Sequence, residues 1–167
     1  MIWDEDENFE PKAKRSVGRP VENPFPSPEV EAEFVSRGQA MIDLYYHPAG
    51  PNTRHDFVFS PRHAMSKTLF WSLVFIHYVN RRQMKRNLQG FLATIHQHFG
   101  TQVVSDRTSL AKSVKSLDRF NVHQMRMNEL DGYDGRRQKS LRSQYQYVMN
   151  RWEAQSDTRQ TPIITNN

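Results

Sequence analysis

Arg107, Thr108, Ser109, Lys112, Lys115 and Arg119 lie close together in the chain, interleaved with Leu110, Val114 and Leu117. The three apolar residues recur at helical spacing, so a helix here has one dry face and one basic, hydroxyl-rich face. Those side-chain types suit contact with DNA. Arg and Lys neutralise phosphates, and short hydroxyls on a helix's first turns reach base edges in a major groove. A second basic group, Arg126, Arg136, Arg137, Lys139 and Arg142, surrounds Asp131, Gly132, Asp134 and Gly135. Its Gly- and Asp-rich centre predicts a tight turn, and the whole reads as a basic β-hairpin tip. A basic helix followed by a basic hairpin is the order of a winged helix-turn-helix.

Other chemistries find less support in the sequence. The closest histidines, His96 and His98, are two residues apart, a spacing that puts them on different faces of a helix, whereas metal-binding pairs use three or four. His47, His55, His63, His77 and His123 are scattered, and no metal site or cofactor is expected. The glycines form neither a phosphate loop nor a dinucleotide fingerprint, and there is no Gly-x-Ser-x-Gly elbow. Glu129, Asp131 and Asp134 lack the order of a calcium loop. With no cysteine, thiolate catalysis, disulfides and zinc-thiolate sites are excluded. Nothing favours catalysis.

The elements that must position the basic helix follow from capping and periodicity. Ser27 and Pro28 open a first helix running to about Tyr46, with Val30, Phe34, Met41 and Tyr45 on one side. Residues 52–59 are expected to be extended, and Ser60 with Pro61 repeats the start signal for a second helix. That helix, through Leu69, Phe70, Trp71, Leu73, Val74, Phe75, Ile76 and Tyr78, is apolar nearly all round, which places it at the centre of the fold or between protomers. A third carries Met84, Leu88, Phe91, Leu92, Ile95 and Phe99 and stops at Gly100. It would be the first of the helix-turn-helix pair, joined by a long turn to the helix beginning near Asp106. A last helix, from about Leu141 to Gln155, shows a stripe of Leu141, Tyr145, Val148, Met149 and Trp152. Core packing against the first helix and a dimer seam both account for that stripe.

The chain has 167 residues and a net charge of +5. One domain with tails is expected: a tail over 1–27, a folded unit over 28–155 and a frayed end over 156–167. Asp4, Glu5, Asp6, Glu7 and Glu10 offset part of the positive charge, so the folded part is more basic than the total suggests. Such a surface favours nucleic acid, with an anionic membrane as the alternative. The longest apolar run, 69–79, is shorter than the roughly 20 residues a bilayer span needs, and no secretory leader is visible. A cytoplasmic protein without a membrane partner is expected. In the tail, Arg15, Gly18, Arg19 and Pro20 resemble half of an AT-hook, a candidate minor-groove arm, although Val21 and Glu22 stand where basic residues usually follow.

The run Asp106, Arg107, Thr108, Ser109, Leu110, with Leu117, Asp118 and then Asp134, Gly135, Arg136, Arg137 and Leu141, resembles the MarR family of dimeric winged-helix DNA-binding repressors. Asn121 stands where the family has Gly, and Asn tolerates the left-handed conformation. The resemblance implies that Arg136 enters a minor groove, that Asp134 orients it through a charge-assisted hydrogen bond, and that the N- and C-terminal helices make a homodimer. It also implies a small aromatic effector, which no residue here identifies.

The combined expectation is a mostly α-helical winged helix-turn-helix with a β-hairpin wing and terminal dimerisation helices. It would bind double-stranded DNA as a sequence-specific transcriptional regulator, through Arg107, Thr108, Ser109, Lys112, Lys115, Arg119, Asp134, Arg136 and Arg137. Two alternatives stand beside it: an architectural or replication-associated DNA binder, and a winged-helix module for protein partners.

Overall fold

The computed structural model describes residues 21–48, 55–123 and 132–155, with side chains from Gly135 onward in the last segment. Its elements are α1 (Pro28–Tyr45), β1 (Phe57–Ser60), β2 (His63–Met65), α2 (Lys67–Arg81), α3 (Leu88–Phe99), α4 (Arg107–Phe120) and α5 (Gly132–Ala154). The described residues are mostly helical, with one small antiparallel sheet among them in which Phe57 faces Met65 and Val58 faces Ala64.

Each of the first four helices starts where a short polar side chain can satisfy an orphan amide. Ser27 Oγ accepts from Val30 N at 3.2 Å, Ser66 Oγ from Leu69 N at 3.1 Å and Asn87 Oδ1 from Gly90 N at 3.1 Å. Asp106 Oδ1 accepts from Ser109 N at 2.8 Å. Gly100 ends α3 at φ 95°, and Asn121 ends α4 in the left-handed region at φ 50°.

Because α2 is apolar on every side, it takes the centre: every residue from Phe70 to Tyr78 is buried. Phe34 of α1 ties the other helices to it, its ring within about 6 Å of those of Trp71, Tyr78, Phe91, Phe99 and Trp152. α4 lies along α2 through Leu110, Val114 and Leu117, all buried.

The interior also holds a polar network joining α1, α2 and α5. Glu33 accepts from the Tyr78 hydroxyl at 2.7 Å and pairs with Arg82 and Arg37. His77 lies between Tyr145 and Glu153, with Nδ1 3.1 Å from the hydroxyl and Nε2 2.8 Å from the carboxylate. Burial holds the His77 pKa below its ordinary value, against the opposing pull of Glu153. Burial raises the Glu153 pKa, but the His77 and Arg37 hydrogen bonds together outweigh that and leave it lowered. A neutral imidazole fits both bonds: Nε2–H donates to Glu153 and Nδ1 accepts from Tyr145.

Four expectations are corrected. First, the segment expected to form the tip and following strand of the wing is helical: Gly132, Asp134, Gly135, Arg136 and Arg137 lie in the first turns of α5. Arg-Arg-Gln-Lys after Gly135 are strong helix formers, and that preference outweighs the turn tendency of two glycines. The Gln138 side chain also donates to the Phe120 carbonyl, fastening this end of α5 to α4. The Asp134 side chain, Arg126, Glu129 and Asp131 lie outside the described residues.

Second, the hairpin lies upstream, and Ser60 with Pro61 forms its turn instead of opening α2. Ser60 Oγ accepts from Arg62 N at 3.2 Å within that turn, while Ser66 caps α2. Third, the end of the expected tail is fastened to the fold: Pro24 is buried, the Phe25 ring lies tilted 5.1 Å from that of Phe34, and Lys85 N donates to Pro24 O at 2.9 Å. Fourth, most of the stripe residues expected at a dimer seam are buried within one chain, with Val30 and Tyr45 half-buried. Trp152 and Val148 are 0% exposed, as are Phe34 and Met41, because α1 and α5 pack on each other as well as on α2.

Candidate nucleic-acid interface

Helical spacing sorts α4 into two faces. Thr108, Lys112, Lys115 and Arg119 follow one another at intervals of four, three and four, which puts them on one stripe, and all four are exposed. Arg107 and Ser109 are exposed beside its upper end. The opposite face is anchored by Leu110, Val114, Leu117 and Phe120, and by Ser113 Oγ, 2.7 Å from Ser72 Oγ of α2.

The acids near this face are engaged elsewhere. Asp106 caps α4, and hydrogen bonds from the backbone and then the side chain of Ser109 hold its carboxyl below the usual range. Asp118 pairs with Arg86. A consequence follows for the expected contacts. The carboxylate at the helix start occupies the amides that would otherwise attract a phosphate, so anion contact falls to side chains. Ser109 is tied to Asp106 through its amide, beside Thr108 on the exposed first turn.

At the other end of α4, Phe120 gathers cations that the sequence separates. The Arg119 guanidinium lies 4.8 Å from its ring centroid and that of Arg137 5.8 Å. Arg137, expected on a wing, therefore sits beside the C-terminal end of the basic stripe. Arg136 is exposed next to it on α5. The structure thus brings Arg119, Arg136 and Arg137 to one end of α4, with Arg107 and Thr108 at the other. Phe120 was legible as a continuation of the apolar stripe three residues beyond Leu117, but its role in collecting arginines requires the tertiary fold.

The candidate arm residues Arg15, Gly18, Arg19 and Pro20 lie outside the described residues. The segment that follows them is pinned: Glu22 pairs with Lys85 at 2.5 Å, and Asn87 Nδ2 donates to Glu22 O at 2.8 Å. Lys85 and Asn87 adjoin Arg86, the partner of Asp118, so the chain enters the folded unit near the C-terminal end of α4. Among the described residues, no group of three or more His, Asp or Glu side chains is placed to hold a metal ion, and no helix is long and apolar enough to cross a membrane. No protein-family model, curated protein or solved structure matches the chain.

Proposed function

We infer that this protein is a sequence-specific DNA-binding protein that acts in transcription regulation, with α4 as the helix that enters the major groove. The observation that carries this reading is the outward stripe Thr108, Lys112, Lys115 and Arg119 on a helix whose other face is locked into the core. A fourteen-residue helix is about 21 Å long, and a groove about 12 Å wide admits it. α3 precedes α4 as the first helix of the pair, across the long turn 100–106. The contacts would divide along the stripe, with Thr108 and Arg107 toward bases and Lys112, Lys115 and Arg119 toward phosphates. Arg136 and Arg137 would extend the phosphate track from α5. Any kinship with MarR regulators rests on this helix pair, since the arginines of the expected wing are helical.

A second reading, an architectural binder that recognises DNA shape, is favoured by the burial of the stripes on which a symmetric dimer was expected. Selection of bound sequences from a random duplex pool separates the two. A regulator enriches a defined motif, palindromic if it acts as a homodimer, whereas an architectural binder enriches only A·T content or bendability. Absence of duplex binding even at low salt would remove both readings and leave a protein-interaction module.

A further inference from the structure

The hairpin and α5 flank a groove of which the duplex-binding reading uses only Arg136 and Arg137, at one end. One cavity of about 340 Å³ lies between them, lined by Phe59, Arg62, His63, Ser143, Gln144 and Tyr147 among others. A second, of about 500 Å³, is lined by Leu69, Arg136, Arg137, Ser140, Leu141 and Gln144. Gln144 borders both, so the two form one trough along α5. Three arginines line it, and among the described residues no acidic side chain does.

Its aromatic wall is built and braced. The His63 imidazole stacks on Tyr147 with centroids 4.3 Å apart and planes at 10°, and Ser60 Oγ lies 3.1 Å from His63 Nδ1, fixing the ring's orientation. Phe59 meets Tyr147 edge-on at 5.6 Å. Arg151 lies 4.4 Å from the Tyr147 centroid and donates to its hydroxyl at 2.6 Å. His63 and Arg62 are both exposed at the trough's rim.

We propose that this trough binds single-stranded nucleic acid, with a base stacked on the His63–Tyr147 platform and backbone phosphates on Arg62, Arg136 and Arg137. Aromatic faces interleaved with cations are what an unpaired strand requires, because every base offers a π face and every linkage a charge. Gln144, Ser143 and Ser140 add donors and acceptors along the floor. The site is distinct from the outward face of α4 yet close to it: Leu69 lines the larger cavity, and Ser72, one helical turn on, touches Ser113 of α4. Arg136 and Arg137 lie where the two surfaces meet, so a duplex on α4 and an unpaired strand in the trough would share them, while the His63 end belongs to the strand alone.

The test uses the full chain at low salt, with fluorescence anisotropy of a labelled oligothymidylate of about twelve nucleotides. His63→Ala and Arg62→Glu, both on the exposed hairpin, should each weaken binding by about tenfold, the size of one lost stack or charge contact. Arg137→Glu, on a different element, should do the same, and thermal melting verifies that each variant is folded. In the wild type, the His63 imidazole proton resonances should shift on titration with the oligonucleotide. Lys112→Glu should leave oligonucleotide binding intact, so loss of duplex binding in that variant bears on the α4 reading alone. Unchanged affinity in the folded hairpin variants, or no binding by the wild type, would overturn the proposal. Thymidine monophosphate binding as tightly as the oligonucleotide would also overturn it, by making the trough a nucleotide pocket and not a strand site.

Discussion

Thr108 and Lys115 occupy one stripe of α4, and under the proposed DNA-binding function their chemistry would assign them different parts of a duplex. Thr108, on the first turn, carries a short hydroxyl and a methyl group that can meet a base edge, whereas Lys115 is a flexible charge two turns further on. Thr108→Ala should change which sequence is preferred, costing about 1 to 3 kcal/mol on a cognate site and little on scrambled DNA. Lys115→Ala should weaken both duplexes by a similar factor and reduce the salt slope by roughly 0.9, as expected for one lost phosphate contact. Binding curves for both variants on a cognate and a scrambled duplex over a range of salt check this. Equal losses for Thr108→Ala on the two duplexes would show that its position is not a reading position. Ser109, which looks equivalent to Thr108 in the sequence, differs because its amide bonds to the Asp106 cap.

At the scale of elements, Gly90 shows how strongly α3 depends on the segment before α1. A helical Gly→Ala change ordinarily stabilises by about 1 kcal/mol. A Cβ here would collide with the Glu22 carbonyl and come within 2.7 Å of Asn87 Nδ2, the cap side chain. Gly90→Ala should therefore lower the melting temperature, and Glu22→Ala should lower it less, since that ion pair is exposed. A stabilised Gly90→Ala protein would mean that the 21–25 strap does not sit on α3. This strap is one of the features that could not be read from the chain in order, because Pro24 and Glu22 look like linker until Lys85 and Asn87 are seen beside them. α1 and α4 were legible nearly to the residue, each carrying its own cap and a regular apolar stripe, whereas α3 begins at Leu88, behind its cap Asn87, and leaves Met84 outside the helix. The hairpin and the start of α5 were not legible. Ser60–Pro61 and Ser66 both offer helix-start chemistry, and local pattern does not choose between them. Gly132 and Gly135 signal a turn, but docking of Gln138 on α4 and the helix propensity around it decide otherwise. The exposed face of α4 was readable because its cause is local. The collection of arginines around Phe120 and the trough beside His63 arise from residues far apart in sequence.

For the whole molecule, the large apolar side chains of the described helices find their packing partners within one chain. Trp152, expected at a seam between protomers, is wholly buried against Phe34 and Tyr78 and donates from Nε1 to the Tyr78 hydroxyl at 3.1 Å. Trp152→Asp should thus abolish cooperative melting instead of yielding a folded monomer, because a carboxylate replaces a core ring at a cost above the roughly 3–5 kcal/mol of Trp→Ala. Size-exclusion chromatography with circular dichroism distinguishes the outcomes, and a folded, smaller species would restore the seam. The network beneath Trp152 also sets the response to acid. Burial lowers the His77 pKa, and burial, with Arg81 and Arg86 nearby, lowers that of His123 against the pull of Asp118. A lowered folded-state pKa means that the unfolded chain takes up the proton first. The stability each neutral imidazole contributes is therefore complete above about pH 6.5 and is lost as pH falls below it toward the folded-state pKa. Glu153, also lowered, acts in the same direction at more acidic pH, below about 4.3. The melting temperature should fall between pH 7 and pH 5, before most carboxylates titrate. His77→Gln keeps a donor for Glu153 but has no proton to take up, so it should flatten that fall, and adding His123→Gln should flatten it further. If the double variant loses melting temperature between pH 7 and 5 as steeply as the wild type, neutral imidazoles in the core are not the source of the acid sensitivity.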